Sequence, residues 1–276
     1  MILTPGTPRE LADMLASANA AKQAVAPQGG GSKSAWGNPP TRTDLILSTQ
    51  KLNRVIEHAW ADMTATVEAG CTIAALQATL AEHGQRLAID PLWPETATVG
   101  GILATNDSGA LRLRFGALRD LIIGITVALP DGIIALSGGK VVKNVAGYDL
   151  PKLMTGALGT LGVITQAVFR LHPLPRFTRT LTIAPKDLDE AQRLILAIQN
   201  SQLAHSALQL RSSGTPELDI LFEGTEAGID AQHRQVLTHT AARENTPDVW
   251  SARQQLWPAA DGEAIVKFST LPSQIA

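Results

Sequence analysis

One cysteine, Cys71, is all the thiol chemistry this 276-residue sequence offers. It excludes an internal disulfide and any metal site built from cysteines, and it fits a reducing compartment. Aromatic residues are scarce at 4 %, so platforms for stacked bases are few. Neither sign of charge is in excess. The 23 lysines and arginines face 25 acids, a net charge of −2 that neutralises no phosphate backbone, which makes nucleic acid a poor partner. Long hydrophobic runs are missing too. The most apolar stretch, residues 121–129, is far short of the ~20 residues that a spanning helix needs. Met1–Gly6 shows neither the basic segment nor the apolar core of a secretory leader. A cytoplasmic protein is expected, with any membrane association arising through an assembly.

What is present supports folding. Apolar residues make up 45 % and charged residues 17 %, enough for a buried core. The length suits one large domain or two ordinary ones. Thr7-Pro8-Arg9-Glu10 is a capping box that opens a helix, with proline where its missing N–H costs nothing. Val25-Ala26-Pro27 and residues 45–47 read as strands, and residues 64–69 as a weakly alternating one. A helix from Ile73 to His83 is expected between an N-cap at Thr72 and a stop at Gly84. Residues 121–129 form a buried strand closed by Pro130-Asp131-Gly132. Asp149 caps a short helix, and residues 162–171 form another strand. At His172-Pro173-Leu174-Pro175 the texture changes. Beyond it, residues 187–199 read as an amphipathic helix, 218–222 as a strand and 225–243 as a helix, the alternation of a small α+β unit.

Three glycine-rich segments carry the chemistry. In Pro27-Gln28-Gly29-Gly30-Gly31-Ser32-Lys33, residues without Cβ let the backbone come close to a ligand and turn successive N–H groups into one concavity that holds an anion. A plain turn explains that segment alone equally well. The second runs from Asp90-Pro91 through Thr98-Val99-Gly100-Gly101 to Thr105-Asn106-Asp107-Ser108-Gly109, crowding hydroxyls into a span with no helix or strand pattern. The third, Gly159-Thr160-Leu161-Gly162-Val163-Ile164-Thr165, is a glycine turn feeding a strand. Neither a P-loop nor a dinucleotide fingerprint fits. Ser32 stands where a P-loop needs glycine before Lys33, Val141 follows Gly139-Lys140, and the Gly156, Gly159, Gly162 spacing precedes a strand. Three such segments in one chain point to a long ligand threaded between loops.

Together these segments resemble the FAD-binding domain of the vanillyl-alcohol oxidase and p-cresol methylhydroxylase type. P-x-G-G-G-S, T-V-G-G-x-x-A-T-N-x-S-G, Arg114-Phe115-Gly116 with Arg119-Asp120, and G-T-L-G-V-I-T occur in family order over residues 1–175. The run from Gly138 to Leu150 is similar to the branch that oxidises D-2-hydroxy acids, and within it to the FAD-binding subunits of bacterial glycolate oxidases. The resemblance implies an α+β fold, a two-lobed FAD-binding domain over 1–175 followed by a shortened α+β cap over 176–276. It implies that Pro27, Gln28, Gly29, Gly30, Gly31, Ser32 and Lys33 hold the pyrophosphate. Asp90, Pro91, Thr98 and Gly101 would line the flavin and its ribityl-phosphate path. Thr105, Asn106, Asp107 and Ser108 would contact the phosphates or ribityl chain, and Gly159, Thr160, Gly162, Val163 and Ile164 the adenine half. A side chain at Gly30 would then fill the pyrophosphate's space.

The departures matter as well. The first loop has Gln28, Gly31 and Ser32 where covalent members often carry histidine, so FAD is expected to be noncovalent. Cys71 reads as a core cysteine. The cap lacks the histidine-glycine-acid run of a metal site, so no metal and no catalytic residue is assigned. His233 and His239 lie on nearly opposite helix faces, His172 reads as a packed linker residue, and His58, His83 and His205 show no partner pattern. The family's closing tail is missing after Ala276, as in a shortened chain. The resemblance implies an FAD-dependent oxidoreductase subunit of a glycolate oxidase-like complex, partnered by a catalytic flavin subunit and an iron–sulfur subunit. A self-sufficient D-2-hydroxy-acid dehydrogenase and a non-catalytic flavin-fold assembly subunit remain open at this point.

Overall fold

The computed structural model describes residues 1–38, 40–140, 147–212, 214–238, 240–257 and 264–275. Residues 141–146 of the run from Gly138 to Leu150, and His239, lie outside the described residues. The chain divides into two compact units. One comprises Met1–Gly109 and Phe115–Leu174, the other Ala110–Arg114 and Pro175–Ala276.

The chain begins with β1 (Ile2–Leu3), α1 (Pro8–Ala20), β2 (Val25–Gln28), β3 (Leu45–Ser48), β4 (Val55–Ala59), β5 (Thr64–Glu68), α2 (Ile73–Ala81) and β6 (Gln85–Arg86). It continues through α3 (Val99–Thr105), α4 (Arg112–Phe115), α5 (Leu118–Leu121), β7 (Ile122–Ala128), β8 (Ile134–Gly138), α6 (Leu150–Met154), β9 (Val163–Arg170) and β10 (His172–Pro173). The local signals act as the sequence implies. Thr7 accepts the Glu10 amide at 3.1 Å, while the Glu10 carboxylate reaches back to the Gly6 amide at 2.8 Å. Thr72 caps α2 and Asp149 caps α6.

The first unit holds two main sheets. A parallel sheet of order β1-β3-β2 carries the glycine turn at the end of β2. An antiparallel sheet of order β4-β5-β9-β7-β8 carries the second core. Leu11, Ala12 and Leu15 of α1 pack with Leu47 of the parallel sheet and with Ala128 and Val163 of the antiparallel one. Helix α1 thus ties the two lobes together by apolar burial. Cys71, 2 % exposed, packs into the larger core with Val67, Ile102 and Phe169. Burial, then the charge of Glu68, pushes its thiol up, as for an inert core cysteine.

The second unit runs β11 (Phe177–Ile183), α7 (Leu188–Gln199), β12 (His205–Ser212), β13 (Pro216–Gly224), α8 (Glu226–Leu237) and β14 (Arg243–Asn245). Its sheet is antiparallel in the order β12-β13-β11-β14. Leu181, Ile220 and Phe222 meet Ile195 and Ile198 of α7 and Ile229 of α8 in its core. Asp219 is fully buried and accepts from Thr182, Gln209 and the Arg211 guanidinium.

Three expectations are corrected. The span without helix or strand pattern contains α3, whose Val99, Ile102 and Leu103 are buried on one face. The helix expected to reach Arg243 stops at Leu237, because residues 243–245 pair with β11 instead. His233, expected at the surface, is drawn into a charged cluster, with Nδ1 3.5 Å from Arg179 and 3.6 Å from Glu244.

Candidate functional site

Strand β2 ends at Gln28, and the chain turns through Gly29, Gly30 and Gly31. The turn is pressed against the segment that opens α3. A Cβ on Gly29 would lie 2.1 Å from Thr98 Oγ1, and one on Gly30 would lie 1.8 Å from the Thr96 carbonyl oxygen. This corrects the expectation for Gly30: its missing side chain makes room for protein backbone, not for the ligand. The amides of Gly29, Gly30, Gly31 and Ser32 donate to no acceptor among the described residues. Four consecutive N–H groups without an internal partner are the makings of an anion cradle.

These residues line a cleft of about 410 Å³, within the range of roughly 300–1,000 Å³ usual for small-molecule sites. All of Pro27, Gln28, Gly29, Gly30, Gly31, Ser32 and Lys33 line it, with Thr98, Gly101 and Thr105 of the α3 segment and Gly159 and Thr160 of the third loop. A narrower recess of about 70 Å³ adjoins it and is lined by Gly162, Val163 and Ile164. In this end of β9 the pairing with β5 has stopped at Gln166, while β7 continues alongside to Val163. One backbone edge of Val163 and Ile164 is therefore not covered by β5. Gly159, at φ +75°, brings the third loop onto Pro27, where a Cβ would lie 3.2 Å from the proline ring.

Asp90, Pro91, Asn106, Asp107 and Ser108 do not line this cleft. Asp107 stands behind it. Its carboxylate lies 3.2 Å from Lys33 Nζ, with the two side chains 1 % and 4 % exposed, and accepts the Leu92 amide at 2.9 Å. Lys33 Nζ also donates to the Leu92 carbonyl at 3.3 Å. The lysine thus anchors the glycine turn instead of meeting a ligand as a free cation. Asp90 lies against Gly109, where a Cβ would fall 2.2 Å from its carboxylate. Asn106 takes the left-handed conformation that ends α3, and its Oδ1 is buried without a partner among the described residues. The sequence reading missed Trp36, Asn38 and Leu158, which also line the cleft. No motif marks them, since they are set by where the loops close.

Thr98 is both a cleft residue and the N-cap of α3, its Oγ1 accepting the Gly101 amide at 3.3 Å. Thr98→Ala is expected to cost about 1 kcal/mol, as lost caps do. That corresponds to roughly 2–4 °C in the melting temperature, while Thr98→Ser keeps the cap. Calorimetry of the two variants checks the difference.

Of the remaining histidines, His58, His83 and His172 lie elsewhere in the first unit and His205 opens β12 in the second. His172 makes an edge contact with Phe115 at 4.9 Å between ring centres. Burial, then the charges of Arg170 and Arg86, pushes its imidazole below the ordinary value, so it is neutral at neutral pH. His58 bonds Gln85 at 2.9 Å and His83 stacks on Trp60.

The observations so far describe a cradle for an anionic, elongated ligand. Comparison with known proteins supplies its class. Residues 1–137 match the family model described as FAD binding domain. Glycolate oxidase subunit GlcD of Bacillus subtilis is 29 % identical over 236 residues, 86 % of this chain and 50 % of that protein. D-lactate dehydrogenase of Archaeoglobus fulgidus is 34 % identical over 203 residues, 74 % of this chain and 45 % of that protein. The chain thus spans about half the length of these relatives. The solved structure of p-cresol methylhydroxylase superposes with a TM-score of 0.76 at 17 % identity, covering 92 % of this chain and 60 % of that one, a likeness of fold.

Proposed function

This chain belongs to the FAD binding domain family, of the p-cresol methylhydroxylase type, and from that premise we propose that it is the FAD-binding subunit of a complex that oxidises 2-hydroxy acids such as glycolate. FAD is its cofactor, and the residues present fit it. The observation that supports this reading most strongly is the row of four unpartnered amides at Gly29–Ser32, opening on a cleft long enough to involve three separate loops. The cleft lining carries no carboxylate among the described residues, so no fixed negative charge opposes a diphosphate. Bound FAD supplies the hydride chemistry, and the protein supplies binding, orientation and electrostatics.

Each part of the chain has a task in this reading. The amides of Gly29–Ser32 hold the diphosphate. The buried Lys33–Asp107 pair keeps that turn in register with the α3 segment. The open edge of Val163 and Ile164 offers backbone hydrogen bonds to one end of the ligand. Electrons pass onward to a companion catalytic flavin subunit and an iron–sulfur subunit. The likeness to a D-lactate dehydrogenase favours a second reading, a dehydrogenase able to act on a D-2-hydroxy acid by itself. Anaerobic mixing with glycolate or D-lactate separates the two. Bleaching of the flavin band only when the companion subunits are added supports the first, and prompt bleaching of the isolated chain supports the second.

Attachment of the cofactor gives a further expected result. No histidine stands in the Gln28–Ser32 turn, and Cys71 is buried in the core, so nothing described at the cleft can form a covalent tether. The purified chain is expected to be yellow and to release all its flavin to the supernatant on acid precipitation. Colour that stays with the pellet contradicts this.

A further inference from the structure

Beyond the glycines and small side chains, the cleft has one large aromatic residue among the described residues that line it. Trp36 is half-buried, and it lines the cleft together with the turn of Gly29–Ser32. Its backbone is held in place, since its amide donates to the Lys33 carbonyl at 3.0 Å. Its indole is held as well. The Lys33 ammonium sits 5.8 Å from the ring centre and is itself fixed by the buried pair with Asp107. The next residue, Gly37, turns at φ +76°, and a Cβ there would lie 3.8 Å from Leu158 Cδ1. The Trp36 turn and the third loop therefore meet at one lip of the cleft. Leu158 is held there at φ +52° with 54 % of its surface exposed.

From this placement we infer that the indole of Trp36 contacts a planar heteroaromatic ring of the bound cofactor and is a binding residue of the site. The inference rests on the FAD reading of the cleft. A dinucleotide whose diphosphate lies on the Gly29–Ser32 amides carries a flat ring system on either side of that anchor. A fixed indole beside the anchor is a platform for either ring, because stacking needs only a π face. Preorganisation by Lys33 means the ring is already placed when the ligand arrives, so little side-chain freedom is lost on binding. The competing role is shielding of the Lys33 ammonium. Trp93 provides the control: its ring lies 5.6 Å from the same ammonium, yet it does not line the cleft.

The test uses the full chain, stripped of flavin and titrated with FAD, with FMN and with ADP. Trp36→Leu is expected to weaken FAD binding roughly ten-fold or more, the scale of one lost aromatic stack, and Trp36→Phe by less than roughly three-fold. The melting temperature of the flavin-free protein is measured beside each titration. Weakening with ADP assigns the indole to adenine, and weakening with FMN assigns it to the flavin ring. A loss with FAD that neither half-ligand shows overturns the inference. So do unchanged FAD affinity in Trp36→Leu and an equal loss in Trp93→Leu. Where Trp36→Leu folds poorly, Trp36→Phe decides: it should remove part of the quenching of tryptophan emission that FAD causes in the wild type, and unchanged quenching overturns the contact. A wild-type chain that binds none of the three ligands rejects the cleft reading itself, a different failure.

Discussion

Gly30→Ala is expected to yield a protein that no longer retains FAD. The Cβ of alanine would be placed 1.8 Å from the Thr96 carbonyl oxygen and 2.9 Å from its carbonyl carbon, both backbone atoms. No rotamer relieves that contact, so either the turn or the Thr96 segment must move by more than an ångström. Such a shift takes the Gly29–Ser32 amides out of line with the diphosphate. A hydrogen bond to a charged group contributes about 1.5–3 kcal/mol, so losing two weakens binding on the order of 10²–10⁴-fold. Gly30→Asp adds a negative charge beside an anionic ligand and should do no better. Flavin content of the purified variants, read from the visible spectrum, measures the effect. Circular dichroism shows whether the rest of the fold survives. A folded Gly30→Ala chain with normal flavin occupancy would show that this turn is not the diphosphate cradle.

Asp107→Ala should be the most damaging single substitution for the stability of the first unit. It leaves the Lys33 ammonium, 4 % exposed, with its carboxylate gone and the Leu92 amide without its acceptor. Breaking a buried ion pair from one side costs about 3–5 kcal/mol. For a chain of this size that lowers the melting temperature by roughly 6–20 °C. The sign of the double variant separates a charge effect from simple loss of packing. Lys33→Met with Asp107→Leu removes both charges and keeps apolar volume, and such replacements are often close to neutral. The double variant should therefore melt well above Asp107→Ala. A double variant as unstable as the single one would assign the role of Asp107 to its backbone contacts. Flavin affinity should fall in Asp107→Ala even where the chain folds, because the glycine turn loses its anchor.

Much of this protein was legible because the signals are local. Thr7, Thr72 and Asp149 each cap the helix that follows, since a cap depends only on residues three positions away. The glycine turn after β2 and the strand after Gly162 stand where their residue types place them. The FAD-binding character of the first unit follows from motif order along the chain.

Other features depend on distant segments and could not be read. Helix α3 spans seven residues, two of them glycines, the weakest helix formers after proline. It forms because Val99, Ile102 and Leu103 bury one face in the core, and because Gly100 lets it approach Ala69. The register of β11 with residues 243–245 ended α8 early, since a paired strand satisfies backbone groups that a longer helix would have used.

The sequence by itself determined that a glycine turn follows β2 and which residues compose it. Only the tertiary structure decided what each residue does there. Gly30 is a glycine for the sake of the Thr96 backbone, Lys33 is a buried anchor, and Trp36 is a wall of the cleft. The physical reason is that a motif records which atoms the chain needs locally, whereas clearance, charge pairing and cleft walls arise between segments that meet only on folding.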